Sequence, residues 1–127
     1  MPVIFAADAP TFKLAEAAHT VFTGLASPSR GAHETSVWRV ALAPGTPSAP
    51  HSLDHEEILV ALAGQAVASL SGAEYAIGPG DAIIVPAGAP FSLQNPHAAV
   101  FEALAVLPVG ARASIGPDQW FTPPWTE

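Results

Sequence analysis

The stretch His51-Ser52-Leu53-Asp54-His55-Glu56-Glu57-Ile58-Leu59-Val60-Ala61-Leu62 joins the densest polar cluster of the chain to its most apolar run. Along an extended backbone residues 51, 53, 55 and 57 fall on one face, because successive side chains alternate. If that face looks into a closed sheet, His51, His55 and Glu57 converge on one cavity. Two imidazoles and a carboxylate suit a divalent metal with positions left open for substrate. They suit general acid–base chemistry equally well. The plainer reading is a solvated turn with Asp54, His55 and Glu56 at its tip. From Ile58 to Leu62 every residue is apolar, whereas a half-exposed strand alternates. Both faces of this strand are therefore expected to be covered, one by the interior and one by a second sheet or a partner subunit. Ala82-Ile83-Ile84-Val85 reads the same way.

Outward from this stretch, 14 Pro and 10 Gly punctuate the chain, with Pro at about twice its usual share of roughly 5%. The spacing predicts strands over Thr35–Leu42, Glu57–Ala63, Gln65–Leu70, Glu74–Ile77, Ala82–Pro86, Phe91–Gln94 and Val100–Leu107. Short strands between regular turn signals indicate an all-β antiparallel sandwich or barrel. Thr11–Ala18 reads as a helical turn or two. The expected organisation is one domain over residues 1–127. It has an N-terminal arm (about 1–34), a core (about 35–108) and an aromatic, Pro-rich tail (about 109–127) that packs over the barrel or onto a partner.

Composition narrows the function. The chain has 127 residues, 50% hydrophobic and 12% charged, against about 25% charged in an ordinary soluble domain. That length buries a real core, and the apolar content excludes intrinsic disorder. So little charge leaves apolar surface for another subunit to cover, and a homodimer is expected. Net charge is −7 with Lys13, Arg30, Arg39 and Arg112 as the cations. Four scattered cations cannot neutralise a phosphate backbone or an anionic membrane surface, so neither nucleic acid nor membrane is an expected partner. The absence of Cys excludes disulfides, thiol catalysis and Cys-ligated metals. With no basic n-region and no apolar run long enough to span a bilayer, a cytoplasmic location is the default expectation.

Two glycine-punctuated motifs carry a family resemblance. Gly45, His51, Leu53, Glu57 and Gly64 stand at the spacing G-x5-H-x-H-x3-E-x6-G, with Leu53 at the second His position. Gly80, Pro86, Gly88, Phe91 and Asn95 stand at the spacing G-x5-P-x-G-x2-H-x3-N, with Phe91 at the His position. This pattern resembles the cupin superfamily. The resemblance implies an antiparallel double-sheet jelly-roll barrel of six to eight strands, often dimeric, with its site inside the barrel mouth. In the family the motif His residues and the Glu ligate a metal. His51 and Glu57 carry over, while Leu53 and Phe91 cannot ligate. His55 keeps the phase of the strand and is the substitute ligand.

On that footing the expected cavity is lined by Trp38, His51, Leu53, Glu57, Phe91, Leu93 and Asn95. It is a mostly apolar pocket of the usual small-molecule kind. His51 and Glu57 are the candidate catalytic residues. The reading carried forward is a small organic molecule bound in the barrel without a tightly held metal. A second reading is a metal-dependent enzyme (dioxygenase, isomerase or lyase) holding iron, manganese, nickel or zinc through His51, Glu57 and His55. A third is a structural module that dimerises through its apolar strands. His19, His33 and His97 read as surface or turn residues.

Overall fold

The computed structural model describes residues 3–127, apart from the side chain of Glu16. Met1 and Pro2 of the expected N-terminal arm lie outside it. Between the turns the chain forms β1 (Thr11–Phe12), β2 (Thr20–Ala26), β3 (Thr35–Leu42), β4 (Ser52–Leu53), β5 (Glu57–Ala63) and β6 (Ala66–Leu70). There follow β7 (Ala73–Ile77), β8 (Ala82–Val85), β9 (Phe91–Gln94), β10 (Phe101–Pro108), β11 (Ala113–Ser114) and β12 (Trp120–Phe121). Helical structure among the described residues is confined to three-residue 3-10 turns, such as Ala15–Ala17 and Pro124–Thr126.

Every strand pairing is antiparallel. One layer is a six-stranded sheet in the order β1-β2-β3-β10-β5-β8. The other is built from β7-β6-β9 and β12-β11-β4. A bridge between His51 and Phe91 brings the start of β4 beside β9. The two layers make a jelly-roll barrel with the connections running around it.

Alternation decides what faces inward. On β3, Trp38, Val40 and Leu42 are buried, with Val37, Arg39 and Ala41 on the opposite face. On β10, Phe101, Ala103, Ala105 and Leu107 alternate with Glu102, Leu104 and Val106. Register sets Ala103 opposite Val40 and Ala61, and Ala105 opposite Trp38 and Leu59. Small inward residues (Ala61, Ala66, Ala68, Ala103, Ala105) let the layers close around Phe101, Ile77 and Val85. Gly64 closes the β5–β6 hairpin at φ +73°, and a Cβ there would collide with the Val100 carbonyl oxygen. Only glycine serves both the conformation and the approach.

Strands β3, β5 and β9 coincide with the expected spans, and the other four expected strands differ by one residue at one or both ends. The N-terminal third differs more. Thr11–Ala18 is not a helix: it holds β1 and a single 3-10 turn, because β1 pairs with β2. The stretch expected to be an arm supplies β2, which pairs with β3 along most of its length. No second sheet among the described residues covers the outward faces of β5 and β8. Burial alternates along β5, and Ile84 on β8 is 60% exposed. The tail is packed: Trp125 is buried, and its ring lies 3.6 Å from that of Phe22 at an interplanar angle of 1°.

Candidate functional site

A cavity of about 680 Å³ opens between the two layers, lined by strands of both and by the two chain ends. That volume sits within the roughly 300–1,000 Å³ typical of ligand sites. From the six-stranded layer come Trp38, Val40, Leu42, Glu57, Leu59 and Leu107, and from the facing layer Leu53, Phe91 and Leu93. Polar lining is sparse, consisting of His19, Thr20, Thr46, His51, Glu57 and Gln119, with neither Lys nor Arg.

Glu57 is the first residue of β5, and its inward phase follows from alternation with Leu59 and Ala61. It is 5% exposed. Burial alone pushes its carboxyl from 4.5 up to about 8, with no hydrogen bond or charge opposing the shift. At neutral pH Glu57 is therefore a protonated acid, which donates one hydrogen bond. His51 is fixed by backbone pairing with Phe91 in both directions, at 2.9 Å and 2.7 Å. Its ring meets the Phe91 ring edge-on at 5.5 Å. Burial lowers its pKa, with the hydrogen bond to the Ala49 carbonyl opposing. Nδ1 lies 3.2 Å from that carbonyl oxygen. An oxygen that only accepts requires the proton on Nδ1, leaving Nε2 as the ring's acceptor. One cavity thus combines a neutral carboxylic acid with a neutral imidazole.

Of the residues expected to line the site, Trp38, His51, Leu53, Glu57, Phe91 and Leu93 do border this cavity. Asn95 does not. It is fully buried in the turn after β9, donating to the carbonyls of Leu42 (3.0 Å) and Ala99 (2.8 Å) and accepting from the His97 N–H. Its amide is consumed by backbone and serves the fold. His55 also departs from its expected role. The chain bends at Asp54–His55, between β4 and β5, so the alternation that holds for Leu53 and Glu57 fails at residue 55. The His55 side chain is 51% exposed, with Nδ1 2.8 Å from Asp54 Oδ1. Asp54 in turn accepts from the Arg112 N–H at 2.7 Å, which ties the bend to β11.

Nearly half of the wall comes from segments that did not read as part of the site. Leu14, His19 and Phe22 enter from the N-terminal side. Ile115, Trp120, Phe121 and Trp125 enter from the tail. Strand propensity in Val21-Phe22-Thr23 was the available signal for β2. For the tail it was the cluster of large rings, which on a free segment would expose too much apolar surface.

A double-layered antiparallel barrel with an apolar cavity between its layers is the class that this fold and site define. The chain belongs to the cupin domain family, whose pattern matches residues 38–107, more than half of its length. Among solved structures it is similar to the polyketide cyclase RemF from Streptomyces resistomycificus. The identity is 24% over 85% of this chain and 79% of that one, with a TM-score of 0.76. A sugar phosphate isomerase from Silicibacter pomeroyi superposes with a TM-score of 0.71 at 20% identity, over 88% of this chain and 80% of that one. A predicted oxalate decarboxylase from Thermotoga maritima superposes with a TM-score of 0.70 at 23% identity, over 82% and 96%. At such identities the likeness is one of fold. No curated protein matches the chain.

Proposed function

We propose that this protein binds a small organic molecule between the layers of its barrel, with Glu57 and His51 as polar anchors and no tightly held metal. The observation that carries this reading is the composition of the cavity wall: apolar throughout except for a few separated polar groups. Such a wall holds a ligand by area and orients it by one or two hydrogen bonds.

The donor set argues against a firmly bound ion. Leu53 and Phe91 occupy two of the family's ligand positions and His55 faces solvent, which leaves His51 and Glu57. Catalytic metals usually keep at least about three protein ligands. Among the described residues no three His, Cys, Asp or Glu side chains group as a metal site. The isomerase and the decarboxylase are named for a sugar phosphate and for oxalate, both anions. A wall without Lys or Arg offers them no counter-charge. A polyketide, a carbon skeleton bearing keto and hydroxyl groups, is chemically closer to what this wall accommodates.

The test is purification without chelator, followed by metal analysis and mass spectrometry of whatever denaturation releases. The expected result is an organic molecule and only trace metal. A Leu53→His/Phe91→His double variant, which restores the donor set, is expected to gain metal. Near-stoichiometric iron, manganese, nickel or zinc in the natural chain, lost in His51→Ala, would establish the metal-dependent reading instead.

A further inference from the structure

We infer that the cavity selects a flat, polycyclic molecule without anionic charge, and that the selecting wall is the aromatic tail together with β2, outside the family-matched stretch. The inference rests on the small-molecule reading and adds the charge, the shape and the residues that read them.

Charge comes first. The four cations of the chain, Lys13, Arg30, Arg39 and Arg112, are all absent from the lining. An anion entering would lose its hydration with no partner to replace it, which is costly in an apolar wall. The net charge of −7 also opposes its approach. The wall therefore excludes an anion.

Shape follows from the rings. Trp125 stacks on Phe22, at 3.6 Å and nearly parallel, and lies 6.3 Å from Trp38, tilted by 54°. The tail carrying it is pinned by the Ser36 hydroxyl donating to the Thr126 carbonyl at 3.1 Å, and by the Ser29 N–H donating to the Glu127 carbonyl at 2.8 Å. These rings are therefore a rigid floor whose ordering is complete before a ligand arrives, which favours affinity. At the rim, Ile115 and Trp120 are 53% and 40% exposed. Both also line an adjoining open pocket that shares His51 with the main cavity. Large apolar side chains left exposed at a cavity mouth mark a surface that a ligand covers. Their turn is held by the Gln119 N–H on the Gly116 carbonyl (3.1 Å), so the rim is preformed as well. The partly exposed Trp120 ring at the rim, beside Phe22, Trp38, Phe91 and Phe121 of the lining, favours offset or edge contact with other flat rings.

Every Trp of the chain (Trp38, Trp120 and Trp125) lines the cavity, so intrinsic fluorescence reports on it directly. The experiment titrates the full chain at pH 7 with 9-fluorenone and with fluorenone-4-carboxylate, checked by calorimetry. The pair shares its ring system and differs by one charge. Fluorenone is expected to bind at least about tenfold tighter, given the cost of burying an unpaired carboxylate. Trp120→Ala, at a partly exposed position whose β12 pairing is made by the backbone, is expected to weaken fluorenone about fivefold or more, in the range of aromatic contacts. Equal or tighter binding of the carboxylate, or an unchanged affinity in Trp120→Ala, would overturn the selection argument and leave the small-molecule reading in place. If neither compound binds, and a panel of neutral and charged ring fragments also fails to perturb any Trp, both fall together.

Discussion

Raising the pH from about 6.5 to about 8 should destabilise the folded chain, and Glu57→Gln should remove that fall. Glu57 is 5% exposed, and burial alone raises its carboxyl from 4.5 to about 8. Between those values the folded chain keeps a proton that the unfolded chain has released. Stability therefore drops by about 1.4 kcal/mol per pH unit. The contribution is intact below 4.5, where both states are protonated, and is lost as the pH climbs through about 8. His51 acts in the opposite sense at lower pH. Burial depresses its pKa below 6.5, against the Ala49 hydrogen bond, so the unfolded chain takes up its proton first and stability rises with pH toward 6.5. Asp54 operates only in acid. Burial raises its pKa, but the Arg112 N–H and His55 outweigh that and hold it below 3.8. Of these three groups Glu57 is the one whose shift spans about 6.5 to about 8, and the loss it brings there is at most about 2 kcal/mol. For a domain of this size that is a fall in Tm on the order of 8 °C. The assay is thermal and urea unfolding of wild type and Glu57→Gln across this window, in chelator-treated buffer. Parallel curves for the two proteins would refute the reasoning, because they would mean that the carboxyl is hydrated or holds a counter-charge. If adding a divalent metal flattens the wild-type curve alone, Glu57 is a ligand after all.

Other outcomes follow from packing. Trp125→Ala removes the ring stacked on Phe22 near Trp38 and should cost about 3–5 kcal/mol in urea unfolding; a loss under about 1 kcal/mol would show that the tail is not part of the fold. Gly64→Ala meets both a positive φ and the Val100 carbonyl. It should cost on the order of 3 kcal/mol, and a near-native Tm would contradict the hairpin geometry. The outward face of the six-stranded sheet carries Val37, Ile58, Val60, Ile84, Leu104 and Val106, with Arg39 and Glu102 on the same face. A face bearing one charge of each sign beside an apolar centre can meet a copy of itself across a twofold axis. A second copy is therefore the expected cover. Light scattering on a sizing column should give a dimer for wild type and a monomer for Ile58→Glu/Ile84→Glu, whereas a monomeric wild type would remove this expectation.

The barrel core was legible because its signals are local. Gly64 marks the end of β5, Gly80, Pro86, Pro90 and Pro96 bracket β8 and β9, and alternation sets the inward phase of Trp38, Leu59 and Phe91 wherever the chain stays extended. The same rule misplaced His55 because it lies in the two-residue bend between β4 and β5, and a period of two carries no information across a bend. Asn95 failed differently. An amide beside a turn has identical sequence credentials whether it lines a cavity or caps backbone carbonyls, and only the positions of Leu42 and Ala99, far apart in the chain, decide between them.

The chain ends were the hardest part to read, for the same reason that they matter most to the ligand. Thr20–Ala26 is inserted at the edge of β3 and exposes little periodicity, since Thr20 and Gly24 flank Phe22 and leave it the one bulky residue of the inward phase. Trp125 is ordered by Phe22, a residue more than a hundred positions earlier, so its place on the cavity wall exists only once β2 has joined the sheet. The central motifs thus shape the container, while its size and its aromatic wall depend on contacts between the two ends. Relatives that share residues 38–107 can therefore differ in ligand with no change to either motif. Exchanging the tail of this chain for that of another cupin should move ligand preference further than any single substitution within the motifs. If instead Leu53 and Phe91 governed preference, a tail exchange would alter stability alone and leave the order of affinities as it was.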